Sequence, residues 1–221
     1  MPTFGLAPET REEKERLNEE IRGMLRTIGA VVPENFWSAG RPQIHLVGRA
    51  PDGTEWPIES YHGRLVLDMP GFLSSNHSPF PHEPVRLTLL RWGAAPDECG
   101  FIETHSSLNG TAIVSYQRVY IGRDVLFGPN VIIMDSDGHA VDRRLPDVTE
   151  NKRIAPVTIE DHAWIGFGAL IMKGVTIVHH AVVAANAVVT KNVPPHCVAA
   201  GNPARIVKEF VRGESTDASH K

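Results

Sequence analysis

Residues 159–193 read IEDHAW IGFGAL IMKGVT IVHHAV VAANAV VTKNV when divided every six positions. An aliphatic β-branched residue opens every block: Ile159, Ile165, Ile171, Ile177, Val183 and Val189. Four positions on stands a small or β-branched one: Ala163, Ala169, Val175, Ala181, Ala187 and Val193. A period of six fits neither the helical repeat of 3.6 nor the alternation of a flat strand. It fits a parallel β-helix of hexapeptides, in which each block supplies one short strand and one turn. The opening residue then points into a narrow interior, and the small residue lets the chain bend around it. The same phase occurs earlier at Ile121, Phe127 and Ile133, with Val125 and Val131 in the second slot. Between Ile133 and Ile159 a polar stretch of roughly two dozen residues, carrying Asp135-Ser136-Asp137-Gly138-His139, interrupts the pattern.

Outside this stretch the signals are local. Residues 10–28 read as an amphipathic helix: Thr10 and Glu13 form a capping-box pair, Leu17, Ile21, Met24, Leu25 and Ile28 share a face, and Gly29 is a natural stop. Residues 30–100 are β-rich, as a small separate region or as irregular first coils. Gln43–Val47 and Thr54–Ile58 flank the hairpin signal Pro51-Asp52-Gly53, and Arg64–Leu67 and Val85–Leu90 read as further strands. The prolines between Pro70 and Pro84 imply a long loop. Trp37, Trp56, Tyr61 and Trp92 could line a sugar site, but core packing is the commoner role of such residues. The β-helix is expected over 101–212, with Ile102, Leu108 and Ile113 pointing inward in its first coils and an extruded loop over 134–156. Ala204–Val211 read as a short closing helix, and the polar tail from Gly213 as disordered.

Composition limits what the chain can be. It has 221 residues, 42% of them hydrophobic, and a formal charge of −4. That suits one domain with an appendage and gives no footing for nucleic acid. No run of 18 apolar residues marks a membrane span, and the N-terminus lacks the basic start and apolar block of a signal peptide. Cys99 and Cys197 form neither metal spacing nor a disulfide framework. A soluble cytoplasmic protein is the expectation.

The motifs Ile121-Gly122-Arg123-Asp124-Val125, Asp135-Ser136-Asp137-Gly138-His139, Ala163-Trp164-Ile165-Gly166, Lys173-Gly174-Val175-Thr176-Ile177, Val188-Val189-Thr190-Lys191 and Gly201-Asn202-Pro203-Ala204-Arg205 span roughly 105–210. Together they resemble the left-handed β-helix (hexapeptide-repeat) acyltransferases. Among these they are most similar to the sugar and polysaccharide O-acetyltransferases related to maltose and galactoside acetyltransferases. The resemblance implies a homotrimer, acetyl-CoA in the groove between neighbouring β-helices, and a loop histidine as general base. It also picks out Trp164, Phe167, Ala185, Thr190, Lys191, Arg205 and Lys208 for the cosubstrate. Small residues and backbone amides would bind the pantetheine arm, and Lys191, Arg205 and Lys208 would face phosphates. The chain departs from the family pattern at Ile177-Val178-His179-His180, Phe167 and Val183-Ala184-Ala185-Asn186.

Acyl transfer from a thioester to a hydroxyl needs a base, donors for the oxyanion, and two substrates held together. Histidine suits the first task near neutral pH, and His139, after a glycine in an extruded loop, is the candidate. Asp135, Asp137 or a carboxylate later in the loop, with Glu150 as one option, could orient its ring. The two aspartates serve equally well as turn formers. Asn109 could hold the acceptor or the developing oxyanion, although Asn109-Gly110 is also a good turn. His162, His179 and His180 contain no pair with the five-residue spacing of zinc-binding β-helices, so no metal is expected. The expected activity is acetyl-CoA-dependent O-acetylation of a sugar or similar small acceptor. N-acetylation of an amino sugar or xenobiotic antibiotic, or a non-catalytic β-helix scaffold, are the alternatives.

Overall fold

A computed structural model describes residues 10–68, 72–74, 83–95 and 97–210. From Val119 onward, short strands visit three parallel sheets in strict rotation. The first face holds Val119–Arg123, Val157–Ile159 and Thr176–Ile177; the second Leu126–Phe127, Trp164–Ile165 and Val182–Val183; the third Ile132–Met134, Leu170–Ile171 and Val188–Val189. Registers confirm the rotation. Ile159 lies over Ile121 and under Ile177, Ile165 between Phe127 and Val183, and Ile171 between Ile133 and Val189. Three hexapeptides therefore close one coil.

The inward positions carry the stability. Ile121, Ile133, Ile159, Ile165, Ile171, Ile177 and Val183 are fully buried, and so are Ala169, Ala181 and Ala187 of the second slot. Each large one contributes about 1.5–3 kcal/mol by leaving water. The corners leave no room for larger residues. A Cβ on Gly166 would stand 2.6 Å from the backbone nitrogen of Ala185 in the next coil.

The β-helix does not begin at residue 101. Gln43–Val47 and Arg86–Leu90 extend the third face below Ala112–Ser115, and Leu65–Leu67 extends the first below Ile102–His105. Trp37–Ala39, Phe72–Ser74 and Leu108–Asn109 form a separate three-stranded parallel sheet. The β-rich third is thus the first coils, and Ile102, Leu108 and Ile113 point inward as expected. Its hexapeptide signal is lost because long connections separate its strands. The hairpin reading fails in the same region. Gln43–Val47 pairs in parallel with Arg86–Leu90, and Thr54–Ile58 forms no strand, although the turn itself is closed by the Arg49–Glu55 bridge and by Ala50 N–H to Thr54 C=O at 2.8 Å.

The N-terminal helix α1 spans Arg11–Thr27, and its capping box is formed by Thr10 and Glu13. It buries Ile21 and Leu25 against the first coils, while Met24 is exposed. Asn18 is buried too. Its amide accepts from Ser38 N–H at 2.6 Å and donates to Ser38 C=O at 3.2 Å, tying α1 to a strand edge.

The expected closing helix is wrong as well. Ala204–Glu209 is a strand, not a closing helix, and pairs antiparallel with Cys197–Gly201 on the second face. The β-branched Ile206-Val207 favours extended backbone, and the Gly201-Asn202-Pro203 turn delivers the segment to the sheet edge. The expected disordered tail lies outside the described residues, as does most of the Pro70–Pro84 loop.

Candidate active site

The loop leaves the β-helix where the third face meets the first, after Met134, and returns at Val157. Its neck is zipped by Asp137 N–H to Arg153 C=O at 3.0 Å and Ala155 N–H to Asp135 C=O at 2.9 Å. The Asp135 side chain is fully buried. It accepts backbone N–H groups of Tyr116, Gln117 and Arg118 at 2.7–2.8 Å and the Ser115 hydroxyl at 3.0 Å. Burial pushes its carboxyl above the ordinary carboxylate value, and these donors oppose the shift. Asp135 holds the corner and is not available to orient His139. Asp137 is ion-paired with Lys173 of the next coil, so it anchors the base of the loop.

His139 stands beyond this neck with its side chain 71% exposed. Its Nδ1 meets Asp147 Oδ2 at 2.7 Å, and the other Asp147 oxygen accepts the Ala140 N–H at 3.0 Å. Lys152 Nζ lies 3.8 Å from the same carboxylate. The His139 hydrogen bond, then the Ala140 N–H, hold the Asp147 carboxyl below its ordinary value. A carboxylate on Nδ1 fixes the tautomer with Nε2 as acceptor. Among the described residues Nε2 has no hydrogen-bond partner. The later loop carboxylate left open by the sequence is Asp147, which the sequence does not single out. It is one of several loop carboxylates, and nothing in its spacing distinguishes it from Glu150, which is exposed.

The cosubstrate candidates fall into two groups. Trp164, 51% exposed, lies in an outward row on the second face with Leu126, Val182, Val198 and, on the returning strand, Lys208. Arg205 is on that same strand. Phe167 and Ala185 are exposed at the corner between the second and third faces, where Asn186 N–H reaches Phe167 C=O at 2.8 Å. Thr190 and Lys191, by contrast, follow the third-face strand Val188–Val189, at the corner from which the loop springs. Both are exposed. The loop corner is opposite the second face, so one chain does not bring His139 and Trp164 together. Asn109 is half-buried on the separate three-stranded sheet, where its backbone carbonyl accepts Asn130 N–H at 3.2 Å.

Of the four early aromatics, Tyr61 is core, Trp37 and Trp92 are partly exposed, and Trp56 and Tyr61 line a cavity of about 620 Å³. The chain has no helix long and apolar enough to cross a membrane among the described residues.

Residues 156–191 match the family model described as the hexapeptide repeat of succinyl-transferase. The repeat region is similar to acetyltransferases. Over 106 residues it is 39% identical to galactoside O-acetyltransferase of Escherichia coli, covering 48% of this chain and 51% of that protein. Over 100 residues it is 37% identical to galactoside O-acetyltransferase of Lactococcus lactis, covering 44% and 46%. The chain thus spans about half the length of the curated relatives it matches. AntD, an N-acyltransferase from Bacillus cereus solved with dTDP and 3-hydroxybutyryl-CoA, superposes with a TM-score of 0.56 at 16% identity, covering 86% of this chain and 89% of that one. A hexapeptide-repeat acetyltransferase from Vibrio cholerae, solved with acetyl-CoA, gives 0.51 at 23% identity, covering 90% and 86%. At these identities the hexapeptide-repeat domain shares the fold with both.

Proposed function

We propose that this protein is an acetyl-CoA-dependent O-acetyltransferase of the galactoside type, acting on a hydroxyl of a sugar or similar small acceptor. The observation that carries this is an exposed imidazole, held at Nδ1 by Asp147, on the loop extruded from a hexapeptide-repeat helix related to galactoside O-acetyltransferases. His139 Nε2 takes the acceptor's hydroxyl proton as the oxygen attacks the thioester carbonyl, and returns it to the departing CoA sulfur. Asp147 steadies the imidazolium between the two transfers. Asp137 acts through Lys173 by fixing the loop base. Asn109 is assigned to the acceptor or the oxyanion.

The residues present fit the cosubstrate. Trp164 offers an exposed ring in an apolar row, Ala185 leaves space for a thin chain, and Arg205, Lys208 and Lys191 offer exposed cations for phosphates. Because the loop corner and the second face lie on opposite sides of the prism, the site is completed by a second copy. The loop of one protomer faces the Trp164 row of its neighbour, with Thr190 and Lys191 on the loop side. Exposed Val141, Leu145 and Val148 on the loop, and Leu126 beside Trp164, are apolar surface of the kind such an interface covers. We propose a homotrimer, acting in the cytoplasm, as the assembly in which this site is formed.

The test is release of CoA from acetyl-CoA against a panel of galactosides, glucosides and their amino-sugar counterparts. Acetylation of hydroxyl sugars supports the proposal. Turnover of amino sugars alone makes it an N-acetyltransferase, and failure to bind CoA at millimolar concentration leaves a scaffold.

A further inference from the structure

The corner between the first and second faces carries a feature the acyl-transfer chemistry does not use. His162, His180 and His196 occupy this corner in three successive coils, each two residues before an outward residue of the second face: Trp164, Val182 and Val198. Their rings form a column. His162 and His180 stack at 5.0 Å with 7° between planes, and His180 and His196 at 5.1 Å with 15°. His179 stands edge-on to both His180 and His196, at 5.6 and 5.8 Å. All three column residues have left-handed backbone, with φ of 61°, 57° and 56°. Side chains other than glycine enter that region at a cost, and asparagine, aspartate and histidine are the ones enriched there. Asn130 and Asn186 do so at other corners of this chain, at 60° and 56°. Three histidines stacked ring on ring at one corner make a distinctive seam.

We propose that this histidine column is a proton-responsive seam, closed by stacked rings and loosened on acidification as charge accumulates along it, starting at the turns that lead into Trp164, Val182 and Val198.

The surroundings determine which rings can accept charge. Asp124 Oδ2 lies 3.7 Å from His162 Nδ1, and Glu160 Oε2 lies 3.1 Å from His179 Nδ1, so the flanking rings have carboxylates to meet. No carboxylate is within ion-pair reach of His180 or His196 among the described residues. Asp161 turns its carbonyl to the His180 N–H at 3.2 Å and its carboxylate to the Arg123 N–H at 2.8 Å. Tyr120, Glu160 and Asp161 share a hollow with His162, His179 and His180. On the far side Glu209 is in register with Cys197, beside His196, whose carbonyl accepts the Phe210 N–H. His180 is the ring pressed from both sides. Desolvation, then repulsion from His162, His196 and His179, hold it below the ordinary imidazole value. A histidine lowered in the folded chain binds fewer protons there than in the unfolded chain. Its stabilisation is therefore full above the unfolded value of about 6.5 and falls away as pH drops below it.

The test uses the full chain and the triple substitution His162→Asn, His180→Asn, His196→Asn, which keeps residues suited to the left-handed corners. The thermal midpoint of the natural protein is expected to fall between pH 8 and pH 5.5, and that of the substituted chain to fall clearly less. Equal falls overturn the proposal. Ring-proton NMR titration of His180 gives a second readout with milder variants. His162→Asn or His196→Asn alone should move its midpoint up towards about 6.5, and an unmoved midpoint shows the rings titrate independently and also overturns it. Neither measurement depends on the transferase reading, so the two can fail separately.

Discussion

Two stretches of this chain are built by opposite rules. From Val157 to Val193 every sixth side chain is apolar and buried, and the register of each strand is repeated in the coil above. Between Met134 and Val157 the buried groups include Asp135 and Ser136, while Val141, Leu145 and Val148 are exposed. The coils are held by the non-directional burial of β-branched side chains. The loop is held by directional contacts: Asp135 to four donors, Asp137 to Lys173, and Asp147 to His139 and Ala140. Substitutions of inward coil residues should therefore cost stability and spare chemistry, and substitutions at the exposed His139–Asp147 pair of the loop should do the reverse.

The largest expected effect is in the loop. His139→Ala should lower the rate of acetyl transfer by about 10²–10⁴-fold, the usual worth of general-base catalysis, with the thermal midpoint nearly unchanged. In the coils, Ile177→Ala removes a fully buried side chain and should cost about 2–5 kcal/mol in denaturant unfolding, with the remaining folded protein keeping its kcat. A loss of kcat in that folded fraction would break the division between the two regions.

The line between them also marks what the sequence could tell. Periodicity reports burial, so Ile159, Ile165 and Ile177 could be placed by spacing alone. It says nothing about directional partners. His139 stood out by its residue type after Gly138, but Asp147 did not, because its role depends on how the loop folds back over eight residues. Asp135 and Asp137 looked equivalent to it on paper, yet burial takes the first and Lys173 the second. The early coils were hidden because long connections break the six-residue phase. Ala204–Glu209 is too short for its pattern to separate a helix from an edge strand, and the free edge at Cys197–Gly201 decides for the strand that Ile206-Val207 favours.

Smaller effects sharpen the same contrast. Asp147→Asn should reduce kcat by about tenfold or more while KM for acetyl-CoA stays constant, since it alters the tautomer and not the Trp164 row. The Asp147 carboxyl is held below its ordinary value, so its contribution to loop order is present above about pH 4 and lost as pH falls through the folded value. Hydrogen exchange of the Ala140 amide should follow that loss, and Asp147→Asn should remove the dependence. Trp164→Ala should raise KM for acetyl-CoA several-fold with a modest change in kcat. The residue is half exposed, so stability should move by less than about 1 kcal/mol.

The most direct measurement is CoA release from acetyl-CoA by the natural protein and by His139→Ala, with a turned-over sugar acceptor at saturation and both proteins shown to be folded. A loss of at least about 100-fold is expected if the imidazole beside Asp147 is the base. A loss of less than about tenfold would remove His139 from that role and the proposed mechanism with it.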